Sequence, residues 1–200
     1  MSQVRRGINV SQARVILTGA AGGLGMATAT ATVLSDAGAH VVGIDRRPGA
    51  GLICADVTKP DEIAGAVQEA GGQLGGIDIL INNAGLGWAQ RSGEPADKDA
   101  REMIEVNLFG AWNTTAAALP DLLSSSGHVV NVASGIAILS MPYGAAYSVS
   151  KRALTAYSDV LRLEYRGRLA VTTLYPGYLE TGIHNRNAAQ RILGGRRYPD

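Results

Sequence analysis

The sequence predicts one α/β domain built as a doubly wound parallel sheet with helices on both faces, and three observations carry that expectation. Short β-branched runs alternate with longer Ala-rich segments, a glycine-rich turn joins the first run to the first segment, and no stretch consists of helix or strand alone. The runs Val15-Ile16-Leu17, Val41-Val42-Gly43-Ile44, Leu52-Ile53-Cys54-Ala55, Ile77-Asp78-Ile79-Leu80-Ile81, Val129-Val130-Asn131-Val132 and Val171-Thr172-Thr173-Leu174 read as buried strands. A parallel strand covered on both faces need not alternate apolar with polar residues. Between the strands, Leu24, Ala27, Ala31 and Leu34 mark one helical stripe, and Thr58 to Asp61 resembles a capping box with Pro60 in the first turn. Right-handed crossovers would then place the helices on the two faces of the sheet. The Gly- and Pro-containing stretches are loop-sized and there is no internal repeat, so residues 1–200 read as a single domain, with 182–200 expected to form a shortened or partly ordered tail.

Composition narrows the class of partner. Hydrophobic residues make up 46% of 200, enough for a real core, while charged residues are 18% and the net charge is +1. Scattered basic residues leave no electrostatic footprint for nucleic acid or an anionic membrane, so a small-molecule partner is expected. No apolar run approaches the roughly 20 residues of a membrane span, and the first ten residues are polar and basic, which points to the cytoplasm. Cys54 sits in an apolar run and is expected to be buried and inert. His40, His128 and His184 are isolated from one another, so no metal site is expected, and the first two read as structural residues flanking strands.

The glycine turn carries the first chemistry. Thr18-Gly19-Ala20-Ala21-Gly22-Gly23-Leu24-Gly25 follows the first strand and opens a helical segment. Glycines let the backbone approach a pyrophosphate, and a helix N-terminus offers unpaired N–H groups. The spacing fits either of two registers, Gly19-Gly23-Gly25 or Gly19-Gly22-Gly25. Asp45 closes the second strand, where an acidic side chain binds adenosine ribose hydroxyls and repels a 2′-phosphate, which favours NAD over NADP. Arg46 and Arg47 argue the other way, since a guanidinium pairs with phosphate, or else they form a solvated turn before Pro48. Asp56, followed by Val57, stands where it could touch the adenine edge or serve as a turn residue.

Tyr147 and Lys151 lie four residues apart in a helical stretch and so share a face. A neighbouring ammonium favours the phenolate and would bring a tyrosine into range as an acid or base.

The glycine turn, Asn82-Asn83-Ala84-Gly85 after the fourth strand, Ser134 after the fifth, Tyr147 with Lys151, and Pro176-Gly177 after the sixth together resemble the short-chain dehydrogenase/reductase family. The resemblance spans about residues 14 to 181. It implies a Rossmann fold with strand order 3-2-1-4-5-6, and catalysis by Asn107, Ser134, Tyr147 and Lys151. Tyr147 would exchange the substrate proton, Ser134 would orient the substrate oxygen, and Lys151 would lower the tyrosine pKa and hold the nicotinamide ribose. Asn107 would interrupt its helix to hold a water leading to Lys151.

The implied cofactor contacts are Thr18, Gly19, Gly23, Leu24, Gly25, Asp45, Asp56, Val57, Asn83, Ala84, Gly85, Tyr147, Lys151, Pro176, Gly177, Leu179 and Thr181. Tyr178 is an alternative to Leu179 for backbone contact. The implied reaction moves a hydride between NAD(H) and a secondary alcohol or ketone. Alternatives are a non-catalytic dinucleotide sensor, or an epimerase or dehydratase of the same family.

Members of the family commonly run longer, and the usual seventh strand has no counterpart before Asp200, which would leave an open pocket. Leu86, Gly87, Trp88, Ile136, Leu139, Met141, Tyr143 and Tyr178 are candidate lining and point to an apolar substrate. Apolar faces that include Leu154, Val160 and Leu161 suggest a homodimer or homotetramer.

Overall fold

The computed structural model describes residues 10–21, 26–87 and 89–177. Gly23, Leu24 and Gly25 of the glycine turn, Trp88, and Tyr178, Leu179, Thr181 and the tail lie outside the described residues.

Six parallel strands form one sheet in the order β3-β2-β1-β4-β5-β6, as expected. They are β1 (Arg14–Thr18), β2 (His40–Asp45), β3 (Leu52–Cys54), β4 (Ile79–Asn82), β5 (His128–Val132) and β6 (Ala170–Leu174). The helices between them are α1 (Met26–Asp36), α2 (Pro60–Leu74), α3 (Lys98–Ile104), α4 (Ala111–Ser124) and α5 (Ala145–Glu164). A π-helical turn, Glu105–Gly110, joins α3 to α4, and a 3₁₀ turn, Gly135–Ala137, precedes α5.

The pleat sends successive side chains of a strand to opposite faces, and the cores follow that rule. On one face Ile16, Ile44, Leu80 and Val129 pack against Ile63 and Val67 of α2 and Leu122 of α4. On the other, Val15, Leu17, Ile79 and Ile81 meet Ala31 and Leu34 of α1, which bears out the described half of the predicted stripe. β1 is thus covered on both faces, which explains why its sequence does not alternate.

Three expectations are corrected. Cys54 is exposed, because β3 is the edge of the sheet and is only three residues long; its thiol faces the Arg46 carbonyl at 3.6 Å. The capping box does not form. Lys59 is the cap and Pro60 occupies the first turn, while the Thr58 hydroxyl donates to Asp56 at 2.8 Å and Glu62 reaches back to the Asp56 N–H at 3.1 Å. Leu154 and Leu161 are buried with Ala111 and Tyr157 inside the chain, so they do not form an outer face; Val160 is exposed.

Candidate active site

The end of β1 lies between β2 and β4, so the crevice above the carboxyl ends of these strands is the natural place for a dinucleotide. Here Thr18 ties the start of the glycine turn to the loop after β4. Its hydroxyl accepts the N–H groups of Asn83 and Ala84, both at 3.1 Å, and its carbonyl accepts the Asn83 side-chain amide at 3.0 Å. Gly19 has φ +70°, and a Cβ placed there would stand 2.7 Å from Ala84 Cα. Only glycine allows this approach of two backbones.

Asp45 is buried at the end of β2. One carboxylate oxygen accepts the Ala21 N–H at 2.9 Å, and the other accepts the Arg47 N–H at 2.9 Å, with Arg47 Nε at 3.5 Å. The Arg47 guanidinium also donates to the Ala21 carbonyl. Arg47 is therefore held at the glycine turn, joined to it through Asp45. Arg46 turns elsewhere and pairs with Glu102 of α3 at 3.3 Å. Asp56 accepts both the N–H and the hydroxyl of Thr58, at 2.9 and 2.8 Å, as a turn residue does, and Val57 is buried in the core.

The predicted catalytic residues converge beside this crevice. Val132 ends β5, and its carbonyl accepts Lys151 Nζ at 2.8 Å. One turn earlier on α5, Tyr147 brings its phenol near Ser134, whose side chain acts to lower its pKa, and Lys151 Nζ lies 5.9 Å from the centre of the tyrosine ring. Ser134, in extended backbone, starts the 3₁₀ turn.

Asn107 sits inside the π-helical turn, a local widening of the helix often found at functional sites. Its amide brackets Leu86, accepting the backbone N–H at 2.7 Å and donating to the carbonyl at 2.8 Å, and it also donates to Ser150 at 2.9 Å. The Ser150 hydroxyl donates in turn to the Tyr147 carbonyl at 2.8 Å. Gly85 closes the group. A Cβ there would stand 3.2 Å from Asn107 Oδ1 and 3.4 Å from Lys151 Nζ.

Burial acts on both titrating groups. It pushes the Tyr147 phenol above its ordinary value, and the hydrogen bond with Ser134 opposes that rise. It pushes the Lys151 ammonium down from 10.5 to about 8. Among the protein groups, Ser134 supplies a lowering influence on the phenol.

Pro176 is brought to the same wall, since its carbonyl accepts the Gly135 N–H at 2.8 Å, and Gly177 follows it. Of the candidate lining, Leu139 and Met141 are exposed, while Leu86 packs against the core. Tyr143, at φ +61°, joins two loops through its carbonyl, which accepts the Gln90 N–H at 2.8 Å.

The family model for short chain dehydrogenases matches residues 13–192. This chain belongs to the short-chain dehydrogenase/reductase family of oxidoreductases. It is 31% identical to a 3-ketodihydrosphingosine reductase of Bacteroides thetaiotaomicron, over 93% of this chain and 71% of that one. Among solved structures it resembles the aldohexose dehydrogenase of Thermoplasma acidophilum, with TM-score 0.83 and 28% identity over 94% of this chain and 74% of that one. It also resembles the 3-ketoacyl-(acyl-carrier-protein) reductase of Brucella melitensis complexed with NADH, with TM-score 0.82 and 25% identity over 92% and 82%. The chain spans as little as 39% and as much as 77% of the length of curated relatives that it matches.

Sequence reading overlooked several residues that hold this family site together. Ser150 links Asn107 to Tyr147, and its place one residue before Lys151 was the available signal. A buried ladder also crosses the sheet beneath the site, in which the Asn82 amide donates to Thr115 and Asn131, and Asn131 donates to Ser158, at 2.8 to 2.9 Å. Asn82 Oδ1 is buried with no hydrogen-bond partner among the described residues. Glu102, facing Arg46 from 56 residues away, carried no signal at all.

Proposed function

We propose that the protein is an NAD-dependent oxidoreductase that interconverts a secondary alcohol and its ketone, with Tyr147 as general acid/base. The observation that carries this reading is the buried Lys151, bonded to the Val132 carbonyl with its Nζ 5.9 Å from the centre of the Tyr147 ring, beside a crevice whose first glycine cannot be replaced without a clash. The described residues fit a dinucleotide. Gly19 lets the glycine turn close against Ala84 at the crevice, and Asp45 presents a buried carboxylate at the ribose side. Thr18, Asn83, Ala84 and Gly85 would line the cleft, with Lys151 at the nicotinamide ribose.

A bound nicotinamide supplies the hydride acceptor or donor. Tyr147 handles the proton: in oxidation its phenolate takes the hydroxyl proton as the carbinol C–H bond is lost, and in reduction its phenol returns that proton to the carbonyl oxygen. Ser134 orients the same oxygen by hydrogen bonding. Lys151 keeps an ammonium at neutral pH, since about 8 lies above 7, and its charge opposes the burial that raises the phenol. Asn107 fixes Leu86 and Ser150 around that lysine and holds the relay position. NAD is the preferred cofactor because a 2′-phosphate would meet the Asp45 carboxylate. The substrate is apolar, in keeping with Leu139 and Met141 exposed a few residues beyond Ser134.

The test is a panel of secondary alcohols with NAD and of ketones with NADH, followed by absorbance of the reduced nicotinamide, alongside cofactor titration. Turnover of at least one substrate is expected, with NAD raising the melting temperature more than NADP. Cofactor binding without turnover of any member would favour the sensor reading.

A further inference from the structure

Two guanidiniums stand beside Asp45, and the fold treats them differently. Arg47 is folded back onto the glycine turn, bonded to Asp45 and to the Ala21 carbonyl. Arg46 is drawn away from that turn by Glu102, across to α3, the helix that follows β4. Both partners of this second pair are partly exposed, at 42% and 33%.

NADP differs from NAD by a phosphate on the adenosine ribose, the moiety assigned above to Asp45. A guanidinium is the side chain best shaped to bind that phosphate, through two parallel N–H donors. We propose that Glu102 is a specificity-determining positioning residue: by holding Arg46, it withholds a phosphate-binding guanidinium from the ribose side and so favours NAD. This rests on the cofactor reading above, and it assigns the preference to a side chain on a distant helix as well as to Asp45.

Exposed ion pairs are weak, so release of Arg46 is worth about two- to five-fold in affinity. The test is titration of NADH and NADPH fluorescence with the full chain, its Glu102→Gln variant, and the Arg46→Gln/Glu102→Gln double variant. Glu102→Gln is expected to tighten NADPH by that factor while leaving NADH unchanged, and the double variant is expected to lose the gain.

An unchanged NADPH/NADH ratio in Glu102→Gln would overturn the inference. So would a gain that survives in the double variant, because the effect would then be the bare loss of a negative charge. If neither dinucleotide binds the native chain, the proposed function falls and takes this inference with it. If both bind and only the ratio fails to move, the function stands and the role of Glu102 is refuted.

Discussion

Lys151 and Arg46 are both cations beside the same crevice, and they are held in opposite ways. Lys151 is 3% exposed and bonded to a strand carbonyl, in a wall where Asn107 and Ser150 are equally buried and bonded to one another. Arg46 lies at the rim, paired with a partly exposed carboxylate near an edge strand whose cysteine faces solvent. Burial fixes the proposed proton-transfer wall at a cost in stability, whereas exposure leaves the proposed cofactor-selecting rim cheap to rearrange. Substitutions in the wall should therefore change stability and turnover together, and substitutions at the rim should change neither by much.

The largest contrast is expected from Lys151→Met. Removing the ammonium should lower turnover by ~10²-fold or more. Yet a pKa held at about 8 instead of 10.5 marks a buried charge that costs roughly 3 kcal/mol by linkage, so the variant should be about 1–3 kcal/mol more stable at pH 7 once the lost hydrogen bond is deducted. Denaturant unfolding checks this, and a destabilised variant would break the contrast.

The sign of the pH dependence follows from the same depression. Between about 8 and 10.5 the unfolded chain binds the extra proton, so the penalty is constant below about pH 8 and is relieved as pH rises toward 10.5. Carbonyl reduction should move the other way, with kcat/KM falling above about pH 8 as the free enzyme loses its ammonium.

Next in size is Gly19→Ala, which combines φ +70° with a 2.7 Å approach to Ala84 Cα. It should cost about 1–3 kcal/mol in stability and weaken cofactor binding at least ten-fold, as read by denaturation and NADH titration. The smallest effect is expected from Cys54→Ser, within about 0.5 kcal/mol of the native protein. A large loss there would show the rim to be as constrained as the wall.

The same division explains what could be read from the sequence. The strands, Gly19 and the Tyr147–Lys151 pairing were legible from local pattern: unbroken β-branched runs, a glycine directly after a strand, and two residues one helical turn apart; the strand order and Ser134 came through the family resemblance. Asn107 was legible through the family resemblance, and its π-helical turn supplies the physical reason. Cys54 was misread because its apolar run does not reveal whether a strand lies inside the sheet or at its edge. Leu154 and Leu161 were misread because a helix that packs on both a neighbouring helix and a sheet buries more than one stripe. The Arg46–Glu102 pair and the Asn82–Asn131 ladder join residues 56 and 49 positions apart, and no local spacing encodes such contacts.

The most direct test of the account is Tyr147→Phe, assayed for carbonyl reduction with NADH and, on the same sample, for NADH binding by fluorescence. Turnover should fall by ~10²- to 10⁴-fold while the dissociation constant stays within a few-fold, because only the hydroxyl that moves the proton is lost. Turnover close to the native rate would contradict the assignment of Tyr147 as the acid/base and with it the proposed chemistry.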